Sequence, residues 1–215
     1  MSKGGAAIDW RESRRQAARV AILEAAWALV REEGLAALSL RDLARRAGIT
    51  TPTVYTYFDS KHAIYDAMFG QAAEDFAAHM AVPYDTDDPR EVLVAGVGRF
   101  VEFCAREFAR YQLLFQRTIP GFEPSAESYA PAIRALAGAR ERLALNGITD
   151  PELLDMWTAL STGLVDQQIS NDPGGDRWVR LIDDFVDMFV MYCRSPKRVL
   201  TRVKKSPSRT KGAPR

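Results

Sequence analysis

Residues 39–61, SLRDLARRAGITTPTVYTYFDSK, constrain the fold of this chain more than any other stretch. Ser39 followed three residues later by Asp42 is a capping-box pattern, which predicts the start of a helix. Gly48 favours the left-handed backbone that ends a helix, and the threonine pair before Pro52 is typical of the next helix start. The sequence therefore predicts two short helices joined by a tight turn.

The second of these helices has a surface suited to nucleic acid. It is rich in hydroxyl and aromatic groups and has no acidic residue between Ile49 and Phe58. Hydroxyls donate to phosphate oxygens and meet base edges, and the spacing fits a helix-turn-helix whose second helix enters a major groove. The residues predicted to contact DNA are Ser39, Thr50, Thr51, Thr53, Tyr55, Thr56, Tyr57 and Lys61.

The segment is similar to the DNA-binding domain of the TetR family of transcriptional regulators, over roughly residues 21–69. At Thr51 and Pro52 the family often has a basic and a small residue, so the base preference of this chain is open. The resemblance implies a ligand-responsive repressor of transcription, which binds a palindromic operator as a homodimer and is released by a small apolar or aromatic effector. It rests on Gly48, Thr53–Val54–Tyr55, Tyr57–Phe58 and Ser60–Lys61.

Apolar residues recur at helical spacing, and no stretch alternates at period two for long enough to suggest a sheet. We therefore predict an all-α protein, with an N-terminal three-helix helix-turn-helix domain and a larger C-terminal helical domain. The predicted domains are an arm and DNA-binding domain at 1–61, an effector-binding and dimerisation domain at 62–195, and a disordered basic tail at 196–215.

Several individual helices are also predicted from apolar spacing and from turn residues. The first runs from Glu12 to Glu33 and the last from Asp176 to about Tyr192. A helix from Ala126 to Asn146 is expected to be interrupted or restarted at Pro131, because proline lacks the backbone N–H that a helix interior uses.

Charge is unevenly distributed along the chain. Residues 1–61 carry a net charge of +3, residues 62–195 carry −10, and residues 196–215 carry +8. A basic head beside an acidic body suits a protein that presents one end to DNA, although ordinary surface variation also explains the +3. The tail either adds DNA affinity or only solubilises the chain.

Four arginines lie near the start of the first predicted helix, at Arg11, Arg14, Arg15 and Arg19. Such a cluster suits contact with the DNA backbone, since lysine and arginine release counterions from phosphates. Solvated surface charge explains the cluster equally well. Both interpretations stay open from the sequence.

In the TetR family the last two helices join two copies of the chain, and the resemblance implies a homodimer here. The corresponding segments of this chain are rich in apolar residues, which burial inside a monomer also explains. The residues expected at the interface are Leu160, Gly163, Leu164, Trp178, Ile182, Phe185 and Phe189.

The family also encloses a small-molecule effector among its middle helices, and an apolar or aromatic effector would suit this chain. The alternative is that these aromatic residues are solid core. The residues expected to line the pocket are Phe100, Phe103, Tyr111, Phe115, Phe122, Met156 and Trp157, with Gln112, Gln116, Ser161 and Gln168 as polar anchors.

No catalytic, cofactor or metal site is predicted. The two histidines, His62 and His79, belong to no cluster with metal-ligand spacing, and no nucleophile motif or phosphate loop is present. We expect a cytoplasmic protein without a signal peptide or membrane span, whose partners are double-stranded operator DNA, an effector and a second copy of itself.

Two other interpretations remain open. One is a regulator of the same fold that activates transcription or has no effector. The other is a helical ligand carrier or cofactor-free enzyme with a degenerate DNA-binding head.

Overall fold

In the computed structural model of the protein, the described residues are 4–195, so the predicted basic tail at 196–215 lies outside them. These residues form nine α-helices and two short 3-10 turns, without a strand among them, which confirms the all-α prediction. The helices are α1 (Gly4–Glu33), α2 (Leu40–Arg46), α3 (Thr51–Tyr55), α4 (Lys61–Ala81), α5 (Pro89–Arg106), α6 (Phe108–Phe115), α7 (Ala126–Leu145), α8 (Pro151–Asn171) and α9 (Ile182–Arg194).

The chain folds into two compact units. The first contains residues 4–83 and 102–138, and the second contains residues 84–101 and 139–195. Packing therefore does not divide the chain at residue 61, because α4 places its apolar stripe in the core of the first unit. The functional boundaries between the DNA-binding and effector-binding parts stay a prediction.

The core of the first unit fixes the position of the DNA-binding helices. Ile22 of α1, Leu43 of α2, Val54 of α3 and Ile64 of α4 are all buried in one apolar cluster. Each fully buried aliphatic side chain contributes about 1.5–3 kcal/mol by leaving water. The short helices α2 and α3 are therefore held by tertiary packing, since helices of five to seven residues are unstable alone.

Two hydrogen bonds made by side chains add to this core. The Tyr65 hydroxyl of α4 donates to the backbone carbonyl of Leu35 at 2.6 Å. The indole N–H of Trp27 donates to Gln71 Oε1 at 2.8 Å. The first bond fastens α4 to the turn that follows α1, and the second fastens α4 to α1 itself, so α4 is closely coupled to α1.

The start of α7 is fastened to α4 by one carboxylate. Asp66 Oδ1 accepts from the Ser125 N–H at 2.6 Å, and Oδ2 accepts from the hydroxyls of Ser125 and Ser128 at 2.9 Å. α4 passes close to this point at Gly70, where a Cβ atom would lie 3.2 Å from Ser128 Oγ. Ser125 caps α7 itself, because its Oγ accepts from the Ser128 N–H at 3.2 Å, and Asp66 holds this cap from α4.

Trp157 is the centre of the aromatic core of the second unit. Its ring lies 5.0 Å from the rings of both Phe185 and Phe189 of α9. On the surface, Arg90 of α5 donates from Nε to Asp187 Oδ1 at 2.5 Å and from Nη2 to Asp183 Oδ1 at 3.0 Å. The hydrogen bond from Arg90 lowers the pKa of Asp187. These contacts join α5, α8 and α9.

Two helices differ from the sequence prediction at the N-terminal side of the chain and near its middle. α1 begins at Gly4 instead of Glu12. α7 continues through Pro131, which is buried, instead of restarting there. Proline removes one helical hydrogen bond, but Pro131 lies near the N-terminal end of α7, and the bonds of the later turns hold the helix together.

The last helix begins at Ile182 and not at Asp176, because the preceding residues form a loop closed by Gln168. The Gln168 side chain is buried, and both ends of its amide bind backbone groups. Its Nε2 donates to the carbonyls of Asp172 and Gly175, and its Oε1 accepts from the N–H groups of Trp178 and Val179. Gln168 is therefore a loop clamp, in contrast to the effector anchor considered from the sequence.

Candidate nucleic-acid interface

The start of α2 is built by Ser39 and Asp42, as the capping pattern predicts. The Asp42 N–H donates to Ser39 Oγ at 3.1 Å, and the Ser39 hydroxyl donates to Asp42 Oδ2 at 2.5 Å. This hydroxyl bond is the main cause that lowers the pKa of Asp42, and Arg45 contributes further. The Ser39 proton is therefore committed to Asp42 and one lone pair of its oxygen accepts from the Asp42 N–H, so one lone pair of this half-buried hydroxyl remains for a further donor.

The turn between α2 and α3 depends on Gly48. Its φ of +68° lies in the left-handed region, which side chains other than glycine rarely adopt. The Ile49 N–H reaches back to the Ala44 carbonyl at 3.0 Å, and the Gly48 N–H donates to the Arg45 carbonyl at 3.3 Å. This hydrogen-bond pattern closes the end of α2 and sets the direction in which α3 leaves.

Threonine hydroxyls cap α3 at both of its ends. Thr50 Oγ1 accepts from the Thr53 N–H at 3.3 Å and lies 2.8 Å from Thr53 Oγ1. At the other end, the Thr56 hydroxyl donates to the Thr53 carbonyl at 2.7 Å. Val54 and Phe58 face the core. A helix of five residues is thereby anchored by its inner face and by its own hydroxyls.

The outer surface of α3 keeps the predicted contact residues accessible. The Tyr55 side chain is 50% exposed. None of the eight residues predicted to contact DNA is buried. Thr50, Tyr55 and Thr56 are exposed, and Ser39, Thr51, Thr53, Tyr57 and Lys61 are half-buried.

Lys61 opens α4 directly beside this surface, after the N-cap Ser60. Its Nζ lies 5.5 Å from the centre of the Tyr65 ring, which steadies the ammonium group without neutralising it. No other lysine occurs in residues 4–195. Lys61 is therefore well placed to meet a phosphate.

The structure adds contacts within the interface framework that the sequence did not single out. Arg19 of α1 donates from Nη1 to the Tyr57 carbonyl, and its guanidinium lies 4.3 Å above the Phe58 ring. Arg46 donates to both carboxylate oxygens of Glu32, at 2.5 and 2.6 Å, and this bond lowers the pKa of Glu32. These pairs are far apart in sequence, so no local pattern identifies them.

A cavity of about 220 Å³ lies in the first unit. Of the residues expected at the effector site, Phe115, Phe122 and the polar anchor Gln116 line it, whereas Phe103 and Tyr111 are buried in packing nearby without lining it. The remaining lining residues are Phe69, Leu113, Leu114, Arg117, Thr118, Ile119, Pro124 and Tyr129.

The other predicted pocket residues belong to the second unit. Phe100 and Trp157 are buried there, and Trp157 is enclosed by its own aromatic neighbours. Met156 is exposed and does not contribute to this core. Ser161 donates to the Trp157 carbonyl within α8, so its hydroxyl is already satisfied.

The predicted dimer residues separate into two groups. Ile182, Phe185 and Phe189 differ from the prediction, because they are buried in the core of the chain itself around Trp157. Leu160 and Gly163 are exposed on α8, and Leu164 and Trp178 are half-buried. The large apolar residues that α8, α9 and the turn before α9 leave exposed are Met156, Leu160, Leu181, Met188, Met191 and Tyr192.

Within residues 4–195, no three histidine, cysteine, aspartate or glutamate side chains are grouped so that they could hold a metal ion. None of the helices described here combines the length and the apolar character needed to cross a membrane.

Residues 22–68 match the family of bacterial regulatory proteins described as tetR. The class A tetracycline repressor protein from transposon 1721 of Escherichia coli is 33% identical over 120 residues, which is 55% of this chain and 53% of that protein. The HTH-type transcriptional activator FasR of Mycolicibacterium smegmatis is 28% identical over 103 residues, or 47% of each protein. The chain thus spans about half the length of the curated relatives it matches.

The fold extends the similarity beyond the DNA-binding region. The crystal structure of the TetR family transcriptional regulator PfmR from Thermus thermophilus matches 79% of this chain and 96% of its own, with a TM-score of 0.59 and 20% identity. On the turn-and-tyrosine motif and the match at residues 22–68, the N-terminal part of the chain is similar to the tetR family of bacterial regulatory proteins, and the chain shares its all-α fold with a solved regulator of that family.

Proposed function

We propose that this protein is a transcriptional regulator that recognises operator DNA through α3. The observation that supports this most is the outer surface of α3, where hydroxyls and tyrosines are accessible with no acid between Ile49 and Phe58, and Lys61 follows at the start of α4. Phosphate contacts from such groups position a helix, and base-edge contacts give specificity. The buried Leu43 and Val54 hold this surface rigidly.

The regulator acts as a homodimer in this proposal. α8 and α9 expose Leu160, Met188 and Met191, and Gly163 has open space around it, where a helix of a second copy can approach. A dimer with two-fold symmetry places two recognition helices in successive major grooves, about 34–36 Å apart, on a palindromic operator. The protein would do this in the cytoplasm.

Repression is the sign of regulation that we propose, because the tetracycline repressor protein is the more identical of the two curated relatives described above, at 33%. Activation is the second candidate, because FasR, at 28% identity, is an activator. The geometry of α3 serves both, since recognition of DNA precedes either outcome.

We propose a small apolar or aromatic effector that enters the cavity of the first unit. Most of the residues that line it have phenyl or aliphatic side chains, and Gln116 and Arg117 supply polar groups for orientation. Phe122 connects the cavity to α4, since its ring lies 6.1 Å from that of His62, 5.9 Å from Tyr65 and 6.4 Å from Phe69.

An effector that displaces Phe122 changes what α4 packs against. His62 directly follows Lys61, so a shift of α4 at this point moves the start of the helix that borders the DNA surface. The effector then releases DNA by population shift, because it favours the arrangement that does not bind the operator.

Fluorescence anisotropy tests DNA recognition. The protein is titrated into the duplex that lies upstream of its own gene and into a duplex enriched from random sequence by the protein, each compared with a scrambled duplex. Specific binding is expected to be at least ~10³-fold tighter than scrambled binding near physiological salt. If no sequence is enriched and all duplexes bind equally weakly with the same salt dependence, the proposed function is wrong.

A thermal-shift screen with small aromatic compounds tests the effector. A compound that binds the folded state raises the melting temperature by mass action. Compounds that raise it in the wild type but not in Phe122→Trp, whose larger side chain fills part of the cavity, and that release the operator support the proposal. Release of DNA by compounds that stabilise both proteins equally would contradict a role for this cavity.

A further inference from the structure

The N-terminal turns of α1 extend beyond the core of the first unit. The residues from Trp10 to Ala17 are all exposed, whereas the buried part of α1 starts at Ile22. We call residues 10–19 the overhang. A solvent-exposed helical extension receives no stabilisation from packing, so its side chains are free to serve another contact.

The overhang carries its positive charge on the face that is buried farther along α1. Arg15 precedes Ile22 by seven residues, and Arg11 precedes it by eleven. Both spacings return to nearly the same side of an α-helix, because seven and eleven residues make close to two and three turns. The side of α1 that packs on the domain from Ile22 onward therefore carries Arg11 and Arg15 in the N-terminal turns that extend past the domain.

Arg19 joins this face to the DNA-binding surface. It lies one turn after Arg15, contacts the Tyr57 carbonyl and stacks on Phe58 at the end of the α3 region. The arginine face thus begins where the predicted DNA contact Tyr57 lies and leads away from it. At a rise of about 1.5 Å per residue, Arg11 lies about 12 Å farther along the helix axis than Arg19.

The charge of the overhang is predominantly positive. Arg11, Arg14 and Arg15 are exposed, and Glu12 is the acidic residue on the same exposed turns. The guanidinium carbons of Arg11 and Arg14 lie 5.8 and 4.9 Å from the centre of the Trp10 ring, which is 48% exposed. This stacking orders the arginines at the tip of the overhang and leaves their N–H groups available.

We propose that the overhang is a second DNA contact, in which Arg11, Arg14 and Arg15 bind backbone phosphates flanking the groove that α3 enters. The inference rests on the proposed function. DNA is the occupant because a continuous row of phosphates matches a row of guanidinium groups that starts at the α3 surface. These contacts carry no sequence information, so they raise affinity and leave the base preference to α3.

The test compares two triple variants that remove equal charge. Arg11→Gln/Arg14→Gln/Arg15→Gln removes the proposed contacts, and glutamine keeps a helix propensity close to that of arginine. Arg106→Gln/Arg140→Gln/Arg194→Gln is the control, since these arginines are exposed and lie outside the helix-turn-helix. Circular dichroism checks that both variants are folded, and anisotropy with the enriched duplex is repeated at several salt concentrations.

We expect the overhang variant to bind on the order of tenfold more weakly near physiological salt. The slope of log K against log[salt] should become less steep by about 0.9 for each lost contact, or about 2.7 per bound chain. The control should change the slope by less than about 0.9, which is the value for one contact. The preference for the enriched over the scrambled duplex should stay constant, because phosphate contacts do not read bases.

Ethylation interference on the same duplex gives an independent readout. In the wild type, ethylation of a contacted phosphate weakens binding. In the overhang variant, ethylation of the flanking phosphates should no longer weaken binding, whereas ethylation of the other contacted phosphates should still do so. Equal slopes for both variants with an unchanged interference pattern would overturn the inference while specific binding by the wild type still stands. If the wild type enriches no sequence at all, the proposed function is wrong and the overhang contact with it.

Discussion

The outer surface of α3 and the exposed surface of α8 and α9 differ in the chemistry that they leave unsatisfied. α3 presents threonine hydroxyls, which bond within the helix and its caps, and the Tyr55 side chain, which is 50% exposed and whose hydroxyl can donate a hydrogen bond. The helices α8 and α9 instead present thioether and aliphatic side chains, with Met188 exposed at 57%. The first surface gains from a polar, charged partner, and the second gains from removal of its area from water.

This difference shows that both surfaces stay exposed for opposite reasons. Polar groups on α3 lose little in water and become useful only opposite groups of matching geometry. Apolar groups on α8 and α9 are unfavourable in water until a partner covers them, and methionine adapts its shape to such a partner. A change of one side chain on α3 should therefore affect DNA recognition, and a change of one side chain on α8 should affect dimer assembly.

The largest effect is expected for Gly163→Leu. A side chain at this position meets no atom within 4 Å in the chain itself, so the protomer should fold and its helix should gain up to about 1 kcal/mol. In a two-fold dimer the added side chain occurs twice at the interface, and overpacking costs about 1–3 kcal/mol for each. We expect dimerisation at least about thirtyfold weaker by analytical ultracentrifugation.

Gly98→Leu in α5 is the matched control for that change. A Cβ at Gly98 likewise meets nothing within 4 Å, so this variant should have the same dimer affinity as the wild type. If Gly163→Leu leaves the dimer intact, then α8 does not pack closely against a second copy at this position.

Tyr55→Phe should weaken operator binding by about tenfold without changing the melting temperature. The substitution removes one hydroxyl from an exposed side chain, and a hydrogen bond to a charged group is worth about 1.5–3 kcal/mol. Anisotropy with the enriched duplex measures the affinity. Tyr129→Phe removes a hydroxyl from another exposed tyrosine and should bind DNA normally. Equal affinities for the two variants would exclude a hydroxyl contact by Tyr55.

Tyr65→Phe should lower the stability of the fold without weakening DNA binding, which is the opposite pattern to that of Tyr55→Phe. The Tyr65 hydroxyl donates to the carbonyl of the buried Leu35, and loss of the donor leaves that acceptor unsatisfied at a cost of about 1–3 kcal/mol. Urea unfolding measures the decrease in stability. DNA affinity of the folded protein at low temperature should be unchanged. A loss of affinity with wild-type stability would mean that α4 reads DNA through this side chain.

The smallest effect is expected for the pH dependence of folding stability that Asp42 causes. Its pKa is lowered in the folded protein below its ordinary value near 3.8, so the carboxylate stabilises the fold at neutral pH. This stabilisation is present above pH ~4 and is lost as the pH falls through the lowered folded value. The stability difference between the wild type and Asp42→Asn should therefore shrink between about pH 4 and about pH 2, measured by urea unfolding. A constant difference over that range would contradict the role of ionisation.

Local patterns were sufficient to predict the helix-turn-helix. The Ser39–Asp42 cap, the Gly48 turn and the Thr50 cap all join groups three to five residues apart, so neighbouring residues in the chain decide them. The same reason accounts for what was missed at this site. Arg19 and Tyr57 are brought together only by the packing of α1 against the segment that follows α3, which no local signal encodes.

The partner that covers the apolar side of α9 was harder to predict from the sequence. Apolar spacing identifies that side, but it does not decide whether the chain itself or a second copy covers it. The aromatic ring of Trp157 makes that choice by stacking with Phe185 and Phe189, and it leaves Met188 and Met191 outside. The start of α9 was also misplaced, because the clamp by Gln168 acts across the loop.

The clamp made by Gln168 has a consequence for the order of folding. All four of its backbone partners lie within eleven residues along the chain, so closing this loop costs little chain entropy. Pairs of helices joined by such short-range contacts form quickly. We therefore expect α8 and the start of α9 to associate early, with the Trp178 and Val179 amides among the first protected in pulse-labelled hydrogen exchange.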